Sequence, residues 1–442
     1  MAIRRTYDGR DRGRGGPVAM STSVNPPEPQ PLTPVREGSP WAPLRQPLFR
    51  SLWIAAVISY TGTWMQNVGA GWLMTQLTTS PFMVGLVQAA MLLPVFLVML
   101  PAGALADMVD RRRFLLWTQG WMVLASGALG ILTLLEHISP WTLLLFTFLL
   151  GLGAVMNDPA WQAITPEIVS PSQHAPAVAL NSVGFNVARA IGPALGGMVI
   201  AATSSGVAFL LNAASFFGVI FFLYRWKRPH IEHVEQGRVR DALWAGLRYV
   251  KDAPLVRAVL IRTGAFSLAA SSLLALLPIL ARPYGASGYG LLLGSFGLGA
   301  LAGAAVLPHL RSRLSVDGTV SFAILVFAAM TFAAGRVQSF GWLSLVLFTS
   351  GTAWIGILAC LNVAAQTMSP VPLRARTLSM YLLVLQGGMA LGSAAWGALA
   401  TRFGVPEAML GAALALVFGL FTVPRYRLSG KQLELTPAVV RD

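Results

Sequence analysis

Charged side chains are rare in this chain, so the few that interrupt its apolar stretches mark the places where chemistry is expected. Of 442 residues only 11% are charged, whereas soluble domains average about 25%. Asp158 and Arg189 both fall inside long apolar stretches, and ionisable groups inside a membrane usually serve ion relays or ligand sites. We expect the two to form a contact in which protonation of Asp158 releases Arg189 to bind an anionic substrate. The alternative is a static ion pair that holds two spans together.

Uncharged polar residues in the same apolar stretches extend this candidate coupling and substrate site. Polar groups in lipid need hydrogen-bond partners, so these side chains should face the interior of a helix bundle. The set is Gln66, Asn67, Asn186, Asn362 and Gln386. Trp64, Trp72, Trp161 and Trp354 offer stacking surface for an apolar or aromatic substrate, with simple packing as the alternative. Arg262 lies only about 8 Å into its span at 1.5 Å per residue, so we expect its side chain to snorkel to the interface.

A second cluster, GALADMVDRRRF at residues 103–114, ends an apolar run in two aspartates and three arginines. Asp107 at a helix end can accept hydrogen bonds from a neighbouring helix N-terminus, where the helix dipole favours an anion. Arg111 lies one helical turn further on and can pair with an acid across the bundle. Its expected partner is Glu167, which lies where the fourth predicted span meets the same membrane face. The cluster therefore predicts a latch, and the alternative is a plain cationic anchor at the membrane surface.

Composition and motifs argue against several other classes of protein. No G-x-x-x-x-G-K-[ST] loop occurs, so ATP binding of the P-loop kind is not expected, and a gradient must drive any transport. The histidines of HIEH, residues 230–233, lack the spacing of a zinc hydrolase. The one cysteine, Cys360, lies in a predicted span and gives no disulfide framework. We therefore expect no enzyme activity, no metal and no cofactor.

The elements that must position these residues are membrane-spanning helices. Uncharged apolar stretches of about 20 residues recur along the chain, and twelve spans can be counted between Leu52 and Val423. The predicted fold class is therefore an all-α polytopic membrane protein with twelve transmembrane helices in two six-helix bundles. The predicted organisation is a disordered Arg-, Gly- and Pro-rich tail (1–47), a first bundle (48–224), a cytoplasmic loop with an amphipathic helix (225–256), a second bundle (257–424) and a second cytoplasmic tail (425–442).

The net charge of +15 would suggest nucleic-acid binding in a soluble protein, so the position of the cations matters. All 32 Lys and Arg residues except Arg189, Arg262, Arg282, Arg336 and Arg402 lie in the tails or in alternate connections between spans. By the positive-inside rule, both termini and the central loop are cytoplasmic. We therefore expect a multi-pass protein of the cell membrane, inner or plasma, whose cations contact lipid headgroups and not nucleic acid.

The two predicted bundles are related by a weak internal repeat. A shift of 200 residues aligns five identical pairs without a gap, namely Gly103 with Gly303, Arg111 with Arg311, Arg113 with Arg313, Gly192 with Gly392 and Gly197 with Gly397. The pairs fall at equivalent places in the order of spans, in the connection after span 2 or 8 and within span 5 or 11. Many transporters are built from such parallel repeats about an axis along the membrane normal.

The first of these places carries a family resemblance. Residues 103–112, GALADMVDRR, resemble the loop between the second and third helices of major facilitator superfamily transporters, normally G-x-L-a-D-r-x-G-r-k. One departure is Asp110, which stands where glycine is usual. The resemblance implies a gate on the cytoplasmic side, formed by Gly103, Asp107, Arg111 and Glu167.

Further stretches resemble exporters of the same superfamily. RAIGPALGG, residues 189–197, resembles their fifth-helix G-P-x-x-G-G motif. Proline removes a helix hydrogen bond and small residues allow close helix approach, which predicts a pliable, tightly packed point, with glycine packing alone as the alternative. The residues concerned are Gly192, Pro193, Gly196 and Gly197. From residue 47 to 424, segments such as NDPAWQAITPEIV and LNSVGFNVARAIGPALGG resemble the transmembrane secretion effector branch.

The resemblance implies outward transport of a small molecule. We therefore predict a secondary active transporter that exports a small amphipathic or anionic molecule, drug-like or siderophore-like, by proton antiport. Its predicted partners are that small molecule, protons and membrane lipids, and we expect a monomer. The alternatives are an importer or uniporter of the same fold and, in another class, a non-transporting receptor or scaffold.

Overall fold

The structure, a computed structural model, describes residues 39–226, 253–367 and 374–428, except for the side chains of residues 100–108 and 375. In these ranges the regular secondary structure is helical, with twelve long helices joined by short turns. The helices are α1 (Pro47–Leu77), α2 (Pro81–Met108), α3 (Arg111–Leu134), α4 (Pro140–Ile168), α5 (His174–Ala202), α6 (Ser205–Arg225), α7 (Pro254–Leu280), α8 (Gly285–Arg313), α9 (Val316–Ala334), α10 (Phe340–Thr367), α11 (Arg374–Phe403) and α12 (Val405–Gly419).

Eleven of these helices, α2 to α12, are long and apolar enough to cross a membrane. The remaining helix, α1, is 31 residues long, but Thr61, Thr63, Gln66 and Asn67 lower its mean hydropathy. Such polar side chains need partners inside the protein, because lipid offers none. α1 packs against both α5 and α6, which gives its polar residues a protein environment.

Helices α1 to α6 form one half of the molecule, and α7 to α12 form the other. In the first half α1 packs against α5 and α6, α4 against α2 and α3, and α3 against α6. Each of these contacts recurs six helices later, since α7 packs against α11 and α12, α10 against α8 and α9, and α9 against α12. The two halves are therefore repeats of one packing arrangement, as the aligned residue pairs predict.

The halves meet mainly where α5 packs against α8 and where α2 packs against α11. A Cβ atom on Gly197 of α5 would lie 2.6 Å from the carbonyl oxygen of Ala286 and 3.0 Å from Cα of Gly290, both in α8. A Cβ atom on Gly397 of α11 would lie 3.0 Å from the carbonyl oxygen of Pro81 in α2. Gly197 and Gly397 are one of the aligned pairs, so the same repeat position takes part in both main contacts between the halves.

Hydrogen bonds also join the halves at this end of the bundle. Arg282, in the turn between α7 and α8, donates from Nη2 to the carbonyl oxygens of Thr75 (3.1 Å) and Thr78 (2.8 Å) at the end of α1. The backbone N–H of Phe82 donates to Oγ1 of Thr401 at 2.9 Å. We call this end of the bundle the Arg282 end.

The opposite end of the bundle, where Arg111 begins α3, is called the Arg111 end. Between described residues, the hydrogen bonds that join the two halves all lie at the Arg282 end and none lies at the Arg111 end. The molecule is therefore held closed at the Arg282 end.

Part of the predicted tail is folded. Residues 42–45, predicted to be part of a disordered tail, form a short 3-10 helix, and α1 begins at Pro47. Gln46 donates from Nε2 to Oε1 of Gln173 at 2.7 Å, which fixes this segment to the turn before α5. The tail prediction is therefore wrong for residues 42–47, while residues 1–38 lie outside the described part of the chain. The predicted amphipathic helix, within residues 227–252, also lies outside it.

Arg262 does not snorkel to the membrane interface, so that prediction is wrong. Its side chain is 3% exposed and forms an ion pair from Nη1 to Oδ1 of Asp317, at the start of α9. The same carboxylate accepts the backbone N–H of Leu428, at 3.1 Å from Oδ2, and Leu428 is itself 1% exposed. A carboxylate at the depth of Arg262 gives the guanidinium a partner inside the protein. The folded part of the chain therefore extends past the predicted boundary at residue 424.

Candidate functional site

A cavity of about 520 Å³ lies between the two halves and is lined by every long helix except α9 and α12. Much of its wall is apolar, including Leu92, Phe216, Leu293 and Trp354. Its polar side chains are Thr63, Gln66, Asn67, Gln88, Thr147, Arg189, Asn212, Tyr289 and Gln386. Concave, mainly apolar sites with a few polar groups suit small ligands that combine both kinds of surface. We call this space the central cavity.

Arg189 is the one charged side chain among the described residues that line the central cavity. Its guanidinium carbon lies 5.8 Å from the ring centroid of Trp64, a distance typical of a cation–π contact. Its position in α5 is about 22 Å from the start of the helix at 1.5 Å per residue, so it lies deep in the bundle. A cation in such an apolar space attracts anions more strongly than it would in water.

A second, smaller cavity of about 140 Å³ lies within the first half, between α1, α3, α4 and α6. Asp158 lines this space and is an exposed residue. Tyr60, Gln119, Asn157 and Trp161 are among the other lining residues. We call this space the Asp158 cavity.

The predicted contact between Asp158 and Arg189 is wrong for this structure, because no ion pair or hydrogen bond joins these two described residues. Three aromatic rings that line the two cavities pack together instead. Phe185 lines both cavities and packs edge-to-face against Tyr60, at 5.5 Å between ring centroids, and against Trp64, at 6.4 Å. α4 packs mainly against α2 and α3 whereas α5 packs mainly against α1 and α8, so the two charged side chains reach different spaces.

The predicted latch at the Arg111 end is present in part. Arg111 donates from Nη1 to Oε1 of Glu167 at 2.9 Å and also lies 3.4 Å from the carbonyl oxygen of Ala163. This ion pair joins the start of α3 to the end of α4. The side chains of Gly103 and Asp107 lie outside the described part of the chain, so their place in the latch stays a prediction.

The rest of the DRRR cluster also fixes helix ends, which the sequence analysis missed. Asp110 is the N-cap of α3 and accepts the backbone N–H of Arg113 at 2.8 Å from Oδ1. Arg112 donates from Nε to the carbonyl oxygen of Leu223 at 2.8 Å and from Nη2 to that of Tyr224 at 2.6 Å. These carbonyls end α6, where helical partners are missing and a cation is favoured. Three consecutive residues thus connect α3, α4 and α6.

Comparison with known proteins decides the family. A family model described as "Transmembrane secretion effector" matches residues 38–439, nearly the whole chain. The chain belongs to this family. Among relatives of this secretion effector, enterobactin exporter EntS of Salmonella choleraesuis is 29% identical over 319 residues, 68% of this chain and 75% of that protein. EntS of Escherichia coli O1:K1 / APEC is 27% identical over 395 residues, 85% of this chain and 90% of that protein.

A further relative is similar to the secretion effector over a shorter length. The staphyloferrin A transporter of Staphylococcus aureus is 27% identical over 164 residues, which is 37% of this chain. The match spans 41% of that protein, less than half of its length.

Solved structures share the fold of the secretion effector at low sequence identity. A bacterial homologue of the human lysosomal transporter Spinster, in an inward-facing and occupied conformation, matches with a TM-score of 0.69 at 15% identity, over 87% of this chain and 98% of that one. The D323A mutant of nucleoside transporter NupG matches with a TM-score of 0.70 at 13% identity, over 86% of this chain and 100% of that one. The predicted all-α, twelve-helix major facilitator fold is confirmed. The secretion effector is a multi-pass membrane transporter and not an enzyme.

The central cavity contains three of the five uncharged polar residues predicted for a coupling or substrate site, namely Gln66, Asn67 and Gln386. Asn186 lies on an exposed part of α5 and donates from Nδ2 to the carbonyl oxygen four residues earlier at 2.8 Å. Asn362 accepts a hydrogen bond from the side chain four residues later in α10. Neither of these two asparagines lines either cavity. The functional roles of all five stay predictions.

Gln66 forms side-chain hydrogen bonds within the first half that the sequence does not reveal. Its Oε1 accepts from Oγ of Ser126 and from Nδ2 of Asn212, both at 2.6 Å, which links α1 to α3 and α6. Gln88 and Tyr289 also line the central cavity and were not selected from the sequence. A glutamine within a long apolar span was a usable signal for Gln88, whereas Tyr289 resembles an ordinary aromatic residue near the end of a span.

The glycines of the α5 motif in this secretion effector face two different helices. A Cβ atom on Gly192 or Gly196 would lie 2.6 or 2.7 Å from atoms of α1, and Gly197 packs against α8 as described above. Pro193 lines the central cavity and has no N–H to donate to the carbonyl oxygen of Arg189. The structure shows the tight packing, and the pliability of this point stays a prediction.

Replacing Glu167 with glutamine is expected to slow transport about fivefold, because the amide keeps the shape of the carboxylate but loses the ion pair with Arg111. The carboxylate is 5% exposed and the guanidinium 29% exposed, so the pair is partly screened and is expected to contribute about 1 kcal/mol. The measurement is the initial transport rate in membrane vesicles. Arg113→Gln is the matched control, since Arg113 is an exposed cation of the same cluster. An unchanged rate in Glu167→Gln would contradict a gating role for the pair.

Proposed function

We propose that this secretion effector exports a small anionic, amphipathic molecule from the cytoplasm in exchange for a proton bound at Asp158. The observation that carries the cargo assignment is the charge of the central cavity, where Arg189 is the one charged group on the described lining. An anion gains strong attraction to a guanidinium in a low-dielectric space, whereas a cation would be repelled. A small, fully hydrated anion would lose its water without gaining apolar contacts, so the cargo needs an apolar part as well.

The walls of the central cavity support an amphipathic cargo. Trp64 of the first half and Trp354 of the second half both line it and offer aromatic surface. Asn67 and Gln386, again one from each half, offer amide groups that can donate or accept hydrogen bonds. A cargo that contacts both halves can link its own binding to their relative movement, which alternating access requires.

The names of the relatives support export as the direction. Both EntS proteins are enterobactin exporters by name, and the third relative is a staphyloferrin A transporter. We therefore choose enterobactin and staphyloferrin A as the first probe compounds for this chain.

In the proposed cycle the Arg111 end faces the cytoplasm, as the positive-inside rule predicts. The conformation closed at the Arg282 end is then the one that admits cargo from the cytoplasm. Release on the other side requires α5 to part from α8, α2 to part from α11, and Arg282 to leave the end of α1. The Arg111 latch would hold the first half rigid while this happens.

Asp158 supplies the coupling group in this proposal. Asp158 lines the Asp158 cavity and not the central cavity, so in this proposal the proton and the cargo bind at separate places. Phe185 is one of five residues that line both cavities, and in this proposal a change at Asp158 reaches Arg189 through this shared wall. Coupling between two sites is reciprocal. If bound cargo favours loss of the proton from Asp158, then binding of the proton weakens the binding of the cargo by the same factor.

The test is substrate-evoked proton release from inverted membrane vesicles. Adding enterobactin or staphyloferrin A is expected to evoke release with the native chain, and Asp158→Asn is expected to lower the response to about a tenth or less, because the amide cannot carry the proton. Glu407→Gln is the matched control, since Glu407 is an exposed carboxylate at the Arg282 end. Expression of the three proteins is compared by immunoblot.

Three outcomes would contradict parts of this proposal. Equal proton release from the native chain and Asp158→Asn would remove Asp158 from the coupling. Probe entry into inverted vesicles without proton release would instead indicate a uniporter, and probe flux in the reverse direction would indicate an importer.

A further inference from the structure

The closed Arg282 end of the molecule contains buried side chains from both halves that belong to one apolar cluster. From the first half these include Val68 of α1, Ile200 of α5 and Ala208 of α6. From the second half they include Ala286 and Tyr289 of α8, both 5% exposed. We call these five residues the exit plug. Packed apolar side chains exclude water, so the exit plug separates the central cavity from the Arg282 end.

Tyr289 lies on the side of the exit plug that faces the central cavity. Tyr289 and Val68 line that cavity, whereas the other three members of the plug do not. Tyr289 is about 6 Å from the start of α8 at 1.5 Å per residue, and Ala286 is nearer to that start. Arg282, whose hydrogen bonds reach the end of α1, therefore lies further out than Tyr289.

The side chain of Tyr289 reaches across the boundary between the halves to Gly71 of α1. A Cβ atom on Gly71 would lie 2.7 Å from Oη and 3.3 Å from Cε1 of Tyr289. Gly71 also lines the central cavity and is about 9 Å from the end of α1 at 1.5 Å per residue. The ring thus packs on the backbone of the opposite half, which is possible because glycine has no Cβ atom.

The hydroxyl group of Tyr289 is available to a ligand. The hydroxyls of Tyr284 and Tyr381, also in the second half, each donate to a backbone carbonyl oxygen, as buried tyrosine hydroxyls usually do. The hydroxyl of Tyr289 makes no hydrogen bond with a described residue, and it is not one of the unpaired polar atoms that are fully buried. Because Tyr289 lines the central cavity, an acceptor oxygen of the cargo can bind this O–H there.

Tyr289 is also connected to the contact between α5 and α8. The next residue in the chain is Gly290, and a Cβ atom on it would lie 2.9 Å from Cα of Gly197 in α5. Since Tyr289 and Gly290 are consecutive residues of one helix, α8 cannot part from α5 without moving the ring away from Gly71. Opening of the Arg282 end and removal of the ring are therefore one movement.

We propose that Tyr289 is the gate residue on the exit side of the central cavity. Its ring, packed on Gly71, closes the cavity toward the Arg282 end, and its hydroxyl donates a hydrogen bond to the cargo. The proposal rests on the proposed function in taking the central cavity as the cargo site. It adds a cargo contact from α8 to the one that Arg189 makes from α5, so the cargo is an amphipathic anion that also carries a separate oxygen acceptor.

The gate is tested by labelling a cysteine in the central cavity, Val95→Cys, in a background without Cys360. A membrane-impermeant maleimide is applied to intact cells and, separately, to inverted vesicles, so that each side of the membrane is tested. With the native gate, labelling is expected to be at least tenfold faster from one side. Tyr289→Ala is expected to raise the slower rate at least tenfold, whereas Tyr289→Phe keeps the ring and should leave that rate nearly unchanged.

Tyr284→Ala is the matched control for loosening of this end of the molecule. Tyr284 packs against Phe340, at 5.3 Å between ring centroids, and does not line the central cavity. Its removal should leave the slower labelling rate as it is with the native gate. Should Tyr289→Ala fail to fold, Gly71→Ala replaces it, because the added methyl group displaces the ring and should also raise the slower rate.

The hydroxyl contact is tested by equilibrium binding of enterobactin and staphyloferrin A to the purified chain. Tyr289→Phe is expected to raise the dissociation constant about tenfold, because one hydrogen bond to the bound cargo is lost. Tyr284→Phe is the matched control, since its hydroxyl donates to the carbonyl oxygen of Gln338 and not into the cavity. Its dissociation constant should equal that of the native chain.

The two measurements can each overturn the proposal. A slower labelling rate that stays low in both Tyr289→Ala and Gly71→Ala would show that the ring is not the gate. Equal dissociation constants for the native chain and Tyr289→Phe would show that the hydroxyl does not contact the cargo. If neither compound binds the native chain, the proposed cargo is wrong, and the labelling rates still decide whether Tyr289 is the gate.

Discussion

Arg189→Gln is expected to raise the dissociation constant for an anionic cargo at least about 30-fold. Arg189 is the one charged group on the described lining of the central cavity, and glutamine keeps polarity without the charge. Removing one partner of a desolvated charge pair costs about 2–5 kcal/mol, which corresponds to roughly 30- to 5,000-fold in affinity. The measurement is equilibrium binding of the anionic probe compounds to the purified protein.

Arg189→Lys provides the control for charge. Lysine keeps the positive charge but loses the planar contact with Trp64, so its dissociation constant should fall between those of the native chain and Arg189→Gln. A neutral amphipathic probe should bind similarly to all three proteins. Unchanged binding of the anionic probes in Arg189→Gln would show that the anion is held elsewhere.

Gly197→Ala is expected to prevent closure of the Arg282 end and to lower transport about 100-fold. The added Cβ would lie 2.6 Å from the carbonyl oxygen of Ala286 and 3.0 Å from Cα of Gly290. Both are backbone atoms of α8, so no side chain can rotate away and α5 must separate from α8. Overpacking of this kind costs about 1–3 kcal/mol in well-packed proteins, and the upper part of that range shifts a two-state equilibrium about 100-fold.

The conformational effect of Gly197→Ala can be measured directly. Spin labels at Thr79→Cys and Phe403→Cys, exposed positions of opposite halves at the Arg282 end, report the distance between the halves in a background without Cys360. The distance is expected to increase in Gly197→Ala. Gly120→Ala is the matched control, because a Cβ atom there would meet nothing within 4 Å.

A second substitution, at the equivalent repeat position, allows the two effects to be compared. Gly397→Ala should have a smaller effect than Gly197→Ala, since its Cβ would lie 3.0 Å from Pro81 and 3.1 Å from Phe82 at the nearest atoms. Equal label distances in the native chain and Gly197→Ala, with transport intact, would show that α5 and α8 can close with a methyl group between them.

The fold and the ion pair between Arg111 and Glu167 could be predicted from the sequence because both follow from where the membrane spans begin and end. Twelve apolar stretches of membrane-spanning length fix the helices, and cations in alternate connections fix which ends lie together. Arg111 and Glu167 are both at helix ends on the same membrane face, so their pairing follows from topology with little dependence on how the helices rotate.

The ion pair between Asp158 and Arg189 could not be predicted correctly because it depends on which helices are neighbours. α4 and α5 are consecutive in sequence, but α5 packs chiefly against α1 and α8 and therefore turns Arg189 toward the central cavity. The depth of a residue in a membrane follows from counting residues, whereas the direction of its side chain follows from packing. The same limit explains Asn186 and Asn362, whose side chains turn out to lie away from both cavities.

The repeated glycine contact has a consequence for how the transporter switches. Gly197 and Gly397 occupy one repeat position, and each seals one of the two main contacts between the halves. A rigid rotation of one half against the other about an axis at the Arg111 end therefore breaks both seals together. The free-energy barrier contains both contributions at once, so opening should be cooperative and all-or-none, with half-open intermediates scarcely populated. A substitution that weakens either glycine contact should then lower the free-energy barrier to opening of both.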